Sequence, residues 1–435
     1  MNTPEIAKAG PANILRNFGW ILGGKGFGAI ASLAYLAVLT RTLGLEDFGQ
    51  FALIFGFSQA IIAFVSFQSW QIIVRFGTVS TLAANWSSLG RLIGLCSTLD
   101  IAAAIVGCLI AYLVCYQFAY ALNISPELLD SCFLFTCALL WARMSTPSGV
   151  VRLMNRFDIG TYVEAIVPFG RLVGAIIVAF TVATVERFLL LWAIIDLCAM
   201  VLYWWSAYRL APTSFAKNNL KNLRMALEEH NGVIRFSAVT YASATIDTAM
   251  RQGPLLFVGA TLGTESAGIY RIADQLAQGI SKASVFSARA IFPDLSAMHH
   301  AEGTLAVSKA VRKLTLAAVM SGLLLTLIAW IVGSTLISII GGSEYKAAAS
   351  VLIPLVIAAS IELAAVAFEP MLYATGYATR ALAARLAAGI ALATGLSVMT
   401  FGDPTLISWV VAFSMGIYFV AIFTAVRSTL SANSV

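Results

Sequence analysis

The chain has 435 residues, of which 60% are hydrophobic and only 11% charged, with a formal net charge of +6 and a mean hydropathy of +0.87. Soluble domains carry about a quarter of their residues as charges, so this composition excludes a soluble globular protein and describes an integral membrane protein. At about 20 residues per bilayer-spanning helix, a dozen helices consume most of the length, which excludes a membrane-anchored enzyme with a sizeable soluble head.

Met1 to Pro11 carries charges but no apolar core followed by a small-residue cleavage site, so the first span is expected to act as the targeting signal. A sliding window of about 19 residues then gives apolar segments at 14–40, 50–74, 91–118, 128–151, 160–183, 187–209, 232–260, 266–292, 311–340, 348–374, 380–401 and 404–427. The fold class that follows is an all-α polytopic membrane protein of about 12 transmembrane helices. With a cytoplasmic N-terminus, Lys8, Arg16, Arg75, Arg91, Arg152, Arg156, Arg209, Lys217, Lys221, Arg224, Arg235, Arg289, Lys309, Arg312, Lys313, Arg380, Arg385 and Arg427 fall in or beside inner connections. Only Arg41, Arg187 and Lys346 fall outside. The positive-inside rule therefore places both termini in the cytoplasm. The basic residues are scattered over many loops, which argues against a nucleic-acid partner.

Charged side chains in mid-span cost at least about 2.5 to 3.5 kcal/mol each on insertion scales, so they face a cavity or a partner. In the first span Lys25, Gly28, Ser32 and Tyr35 share a face. The second is unusually polar through Ser58, Gln59, Ser66, Gln68, Ser69 and Gln71, with Trp70 as either an aromatic face for a sugar or an interfacial belt residue. Asp100 and Asp196 are buried-acid candidates in the third and sixth spans, and Arg143 and Arg171 are isolated cations in the fourth and fifth. The connection from Tyr208 to Gly232 repeats Leu220, Leu223, Ala226 and Leu227 beside Lys217, Lys221 and Arg224, the pattern of an amphipathic helix on the cytoplasmic leaflet. Asp247 and Arg251 stand at i, i+4 in the seventh span, close enough to pair. In the eighth, Arg271, Asp274, Gln278, Lys282 and Arg289 fall on one stripe about 60° wide. Glu362 and Glu369 complete the candidate acids. All six cysteines, Cys96, Cys108, Cys115, Cys132, Cys137 and Cys198, lie in apolar runs without paired short spacings and are expected to behave as small buried hydrophobes. His230, His299 and His300 lie in polar connections, so neither a metal site nor a cofactor is indicated.

A shift of 219 residues aligns Thr42-Leu43-Gly44-Leu45-Glu46-Asp47-Phe48-Gly49-Gln50-Phe51 with Thr261-Leu262-Gly263-Thr264-Glu265-Ser266-Ala267-Gly268-Ile269-Tyr270. Both copies follow an odd-numbered span, so the halves are expected to be six-helix lobes related by a parallel repeat, a transporter architecture. The corresponding domains are an N-terminal lobe over 1–215, a cytoplasmic amphipathic linker over 216–231 and a C-terminal lobe over 232–435. Gly44, Gly49, Gly263 and Gly268 are expected to permit the positive φ of tight turns, with Glu46 and Glu265 capping the next helix.

The stretch Thr40 to Phe51, the opening Asn13-Ile14-Leu15-Arg16-Asn17, the segment Gly263 to Tyr270 and the turn Leu153-Met154-Asn155-Arg156-Phe157 resemble the polysaccharide (O-antigen-type) flippases of the multidrug/oligosaccharidyl-lipid/polysaccharide exporter superfamily. The resemblance implies a V-shaped exporter architecture and a bacterial inner-membrane flippase. Such a protein moves an isoprenoid-pyrophosphate-linked oligosaccharide by alternating access, for surface or exported polysaccharide, beside other polysaccharide-assembly membrane proteins. It is a transporter and not an enzyme. On that reading Lys25, Ser32, Gln59, Arg251, Arg271, Gln278 and Lys282 line a cationic cavity that meets the lipid-linked substrate, with Arg supplying forked hydrogen bonds to phosphate oxygens and Lys a point charge. Asp247, Asp274 and Glu369 are candidates to carry a coupling proton or sodium ion. The competing reading makes Asp247 with Arg251, and Arg271 with Asp274, internal ion pairs. Two rivals share the polytopic pattern: a cation-coupled multidrug exporter, which calls for an acid-dominated cavity, and a polysaccharide polymerase or ligase, which calls for a long outer loop.

Overall fold

The computed structural model describes residues 11–117, 123–216, 222–279, 304–374, 377–399 and 403–432, and the described secondary structure is helical. Among the described residues, eight helices are long and apolar enough to cross a membrane. The chain is thus an all-α polytopic membrane protein. Its residues cluster into two compact units, Met1–Leu43 with Ile54–Thr245, and Gly44–Leu53 with Ile246–Val435.

The first unit begins with the N-terminal limb of α1 (Pro11–Val65). It continues through α2 (Ser69–Leu82), α3 (Trp86–Gln117), α4 (Leu129–Ala142), α5 (Thr146–Leu153), α6 (Phe157–Ala179), α7 (Val185–Leu210) and the short α8 (Leu223–Glu229). The apolar windows at 50–74 and 128–151 are broken helices here: α1 stops at Val65 before α2, and α4 stops at Ala142 before α5. Pro147 in the first turn of α5 supplies one cause, since proline cannot continue a helix from the residues before it. Asp100, buried at 6% exposure on α3, supplies the other. Its carboxylate accepts hydrogen bonds from the Ser69 hydroxyl at the start of α2. It also accepts from the Ser145 and Thr146 backbone N–H groups, each at 3.0 Å, and from the Thr146 hydroxyl at 2.8 Å. One carboxylate thereby satisfies the orphan donors that a helix N-terminus leaves inside a membrane. Ser145 Oγ accepts the Trp70 N–H at 3.3 Å, which ties the two breaks together.

Below these breaks a core of Ile72, Ile73, Leu89, Leu92, Ile93, Cys96, Val150, Ala207 and Ala226 forms. Ala226 belongs to α8, so this linker helix is docked on the unit through Ala226 with Leu223 packed beside it, while Arg224 on its outer side is 94% exposed. The expected amphipathic helix starts at Leu223; Lys217, Leu220 and Lys221 lie outside the described residues.

The second unit is built from the Gly44–Leu53 segment, most of α9 (Val233–Leu262) and α10 (264–279). It continues through α11 (Thr304–Gly341), α12 (Ala348–Ala364), α13 (Phe368–Ala374), α14 (Ala378–Val398) and α15 (Pro404–Ala432). The window at 348–374 is also broken, at 365–367, just ahead of Pro370 in α13. Its core joins Val311, Leu363, Phe368, Met371, Ala384, Ala388, Tyr418 and Ile422. Pro168, Pro254 and Pro354 sit inside helices α6, α9 and α12.

The repeated turn motif packs on its own copy inside this unit. Gly44 and Gly263 have φ of 78° and 86°, so each holds the left-handed conformation that the turn needs. Gly49 and Gly268 differ from the expectation: both are helical, and their role is contact. A Cβ on Gly49 would collide with the Thr264 carbonyl, and one on Gly268 would lie 3.0 Å from the Leu45 carbonyl oxygen. Tyr345, fully buried, donates to the Gly44 carbonyl at 3.0 Å and packs edge-on against Phe48 at 5.8 Å.

Candidate functional site

Each unit carries a cluster of charged side chains on its membrane helices, and each is held by a different charge balance. In the first unit the cluster centres on Asp196 of α7, 6% exposed. Arg171 of α6, equally buried, donates to it, and Arg143 at the end of α4 approaches within 3.6 Å. Arg143 and Arg171 are therefore partners of one acid and not isolated cations. Arg171 lies over the Trp192 ring at 4.6 Å and near the Phe55 ring at 5.8 Å. Tyr35 and Phe55 meet Trp192 edge-on at 5.3 and 5.7 Å. These rings supply the weakly hydrated surroundings in which a guanidinium, better than an ammonium, is tolerated. Two donors remain over: Arg171 Nε and Gln59 Nε2 are buried without a hydrogen-bond partner. Gln59 stands one turn beyond Phe55 on α1, and Ser58 beside it bonds Thr136 at 2.8 Å.

In the second unit, Arg385 of α14 forks onto Glu369 of α13, with Nε to Oε1 at 2.6 Å and Nη2 to Oε2 at 3.0 Å. Its third donor reaches Asp247 of α9 at 3.1 Å. Asp247 also accepts from Arg251 at 3.3 Å, and Arg251 reaches Glu362 of α12 at 3.1 Å. Tyr418 of α15 closes the chain by donating to Glu369 at 2.8 Å. Five helices are thus laced by one continuous network. On α10, Arg271 pairs with Asp274 at 3.3 Å, and Gln278 donates to Asp274 at 2.7 Å.

The structure brings Asp247, Arg251 and Glu369 together and places Arg271, Asp274 and Gln278 on one face of α10. Ser32 is half-buried on α1. The side chain of Lys25 and the whole of Lys282 and Arg289 lie outside the described residues. One expectation changes: Arg385, counted with the inner connections, sits two turns inside α14 and is the cation that neutralises two candidate coupling acids. The excess of cations expected around the eighth span rests on Lys282 and Arg289, outside the described residues; among the described ion pairs of this unit, Arg251, Arg271 and Arg385 face Asp247, Asp274, Glu362 and Glu369. Trp70 has one face covered by the Arg152 guanidinium at 4.4 Å, and its Nε1 donates to Gln68 at 3.0 Å. Arg75 stacks on Phe236 at 4.4 Å. Cys96, Cys115 and Cys132 are buried as expected, whereas Cys198 is exposed.

Residues 14–299 match the family described as polysaccharide biosynthesis protein. Inner membrane protein YghQ of Escherichia coli (strain K12) is 25% identical over 338 residues, which cover 76% of this chain and 93% of that protein. Among solved structures, a multidrug resistance MATE family transporter of the MOP superfamily in an inward-facing conformation superposes with a TM-score of 0.73 at 14% identity, over 94% of this chain and 95% of that one. The lipid II flippase MurJ in an inward closed conformation superposes with a TM-score of 0.69 at 10% identity, over 94% of this chain and 87% of that one. These structural likenesses establish the exporter fold.

Proposed function

As the chain belongs to the polysaccharide biosynthesis protein family, we propose that it is a flippase that carries an isoprenoid-pyrophosphate-linked oligosaccharide across the bacterial inner membrane. It works by alternating access, with both termini in the cytoplasm, and serves the assembly of a surface or exported polysaccharide. The observation that carries the choice of an anionic cargo is the first unit's charge cluster. Two guanidiniums share one carboxylate there, and the buried Arg171 Nε and Gln59 Nε2 donors have no acceptor. A buried donor without an acceptor is costly, and a phosphate oxygen or sugar carboxylate supplies one. Lys25, Ser32, Arg251, Arg271, Gln278 and Lys282 remain the further candidates to meet the cargo.

The test is complementation in a strain that lacks the protein. Arg143→Gln, Arg171→Lys and Lys25→Gln variants are expressed, their membrane levels are matched to wild type, and surface polysaccharide is assayed with the lipid-linked intermediate. The expected outcome is loss of polymer with the intermediate retained on the cytoplasmic leaflet. Normal polymer from all three variants sinks the assignment.

The second unit favours one rival. Its described ion pairs bring four carboxylates to three guanidiniums, the balance that a cation-coupled multidrug exporter requires. The same strains discriminate, since a drug exporter changes resistance to cationic dyes and leaves polymer intact. On the flippase reading the acid excess serves energy coupling, with Asp247, Asp274 and Glu369 as the candidate carriers of a proton or sodium ion. Asp247→Asn is then expected to remove the dependence of transport on an imposed pH gradient, and an unchanged dependence eliminates Asp247.

A further inference from the structure

In the second unit a cavity of about 450 Å³ opens between α14 and α15. Its depth is set by alanines: Ala383 and Ala384 from one helix face Ala421 and Ala425 from the other, with Arg380 and Ser428 at one end. Small side chains on both helices leave a trough between them. The volume lies within the range of about 300–1,000 Å³ typical of small-molecule sites.

The polar end has its own logic. Arg380 lies in the first turn of α14 (Ala378–Val398), and Ser428 and Thr429 lie in the last turns of α15 (Pro404–Ala432), so all three stand where these spans leave the hydrocarbon. The guanidinium donates through Nη1 to the Ser428 and Thr429 hydroxyls at 3.0 and 2.8 Å and stacks on the Tyr377 ring at 4.4 Å. Among the described residues no carboxylate lies within ion-pair distance of it, in contrast to Arg251, Arg271 and Arg385. A cation held in place by hydroxyls at the end of an alanine-lined trough, with no carboxylate partner among the described residues, is complementary to an anionic headgroup on an acyl chain.

We propose that this groove is a binding site for an anionic glycerophospholipid. The phosphate meets Arg380 and the Ser428 hydroxyl, and an acyl chain lies along the alanines. On the orientation proposed above, the lipid comes from the cytoplasmic leaflet. The site is separate from the charge clusters of the membrane interior and does not depend on their cargo.

The test is native mass spectrometry of the full chain released from nanodiscs of phosphatidylglycerol and phosphatidylethanolamine in equal amounts. Wild type is expected to retain phosphatidylglycerol over phosphatidylethanolamine by about fivefold, in line with one basic residue near an anionic surface. Arg380→Gln should abolish the preference, and Ala383→Phe, at an exposed position, should reduce retention of both lipids by filling the trough. Equal retention of the two lipids by wild type, or an unchanged preference in Arg380→Gln, overturns the proposal. Displacement of bound phosphatidylglycerol by an equimolar isoprenyl pyrophosphate, with the Arg380→Gln variant insensitive to it, overturns it in favour of a substrate subsite. None of these readouts requires transport, so failure of the lipid site and failure of the flippase reading are distinguishable: polymer assembly reports only the latter.

Discussion

Arg385 shows how much a single guanidinium can be asked to do inside a membrane. It is 26% exposed at the side chain, it holds Glu369 with a two-pronged fork through Nε and Nη2, and it donates from Nη1 to Asp247. Removing one member of such a partly buried network leaves the others charged and unpaired, which costs about 3 kcal/mol. Arg385→Gln is therefore expected to lower the thermal stability of the detergent-solubilised protein by that order. Arg385→Lys should restore only part of the loss, because an ammonium cannot reproduce the fork, and the Arg385→Gln/Glu369→Gln double variant should recover more than either addition predicts. Additive losses in the unfolding temperatures contradict the network. In the sequence, Asp247 with Arg251 and Arg271 with Asp274 were legible because helical spacing alone brings i, i+3 and i, i+4 neighbours together. Arg385 was not, since its partners lie 16 and 138 residues away and its position near a basic connection reads as a topology signal. Arg171 and Asp196 were visible singly as intramembrane charges, but nothing local in the chain reveals that they share one pair.

At the scale of elements, hydropathy placed the spans but not their interruptions. Windows of about 19 residues average over the short polar stretches at Ser66 to Gln68 and at 143–145, which therefore read as polar positions within a span and not as breaks. Asp100 is the residue that permits both breaks, and its role depends on tertiary placement. The linker offers a second case. Ala226 docks α8, and Arg91 fixes its end by donating to both Glu229 oxygens, with Ser88 adding a bond at 3.0 Å. The Arg91 hydrogen bonds hold the Glu229 carboxyl below its ordinary range. That contribution is present above a pH of about 4.3 and is lost only in stronger acid. Burial pushes the neighbouring His230 imidazole below its ordinary value, and its Nε2 is buried without a partner. The docked linker therefore favours the neutral ring, so docking is fully stable above a pH of about 6.5 and weakens as the pH falls through that value. Amide exchange of the 223–233 segment, normalised to the intrinsic rate at each pH, is expected to rise between pH 7 and 5.5, and His230→Gln should remove the rise. Normalised exchange that is flat with pH in wild type contradicts the coupling.

For the whole molecule, composition already set the class, and the repeated turn motif pointed to the family. The motif is readable because it is polar, short and glycine-dependent: Gly44 and Gly263 must hold a positive φ, while Gly49 and Gly268 must admit a neighbouring backbone. Such constraints narrow the choice of residue at these positions to glycine, whereas apolar span residues of similar volume substitute for one another at low cost. The cargo is harder to read, because one exporter fold serves different substrates and the described residues of the two charge clusters have opposite balances. The central claim is that this chain moves a lipid-linked, pyrophosphate-bearing oligosaccharide between leaflets. The most direct measurement reconstitutes the purified protein in proteoliposomes with a fluorescent isoprenyl-pyrophosphate oligosaccharide and follows its accessibility to a membrane-impermeant quencher. The account predicts that the protein equilibrates the probe across the bilayer and that Arg171→Lys slows this while leaving protein incorporation unchanged. Equal rates in protein-containing and empty liposomes, or transport of cationic dyes in place of the lipid, contradict it.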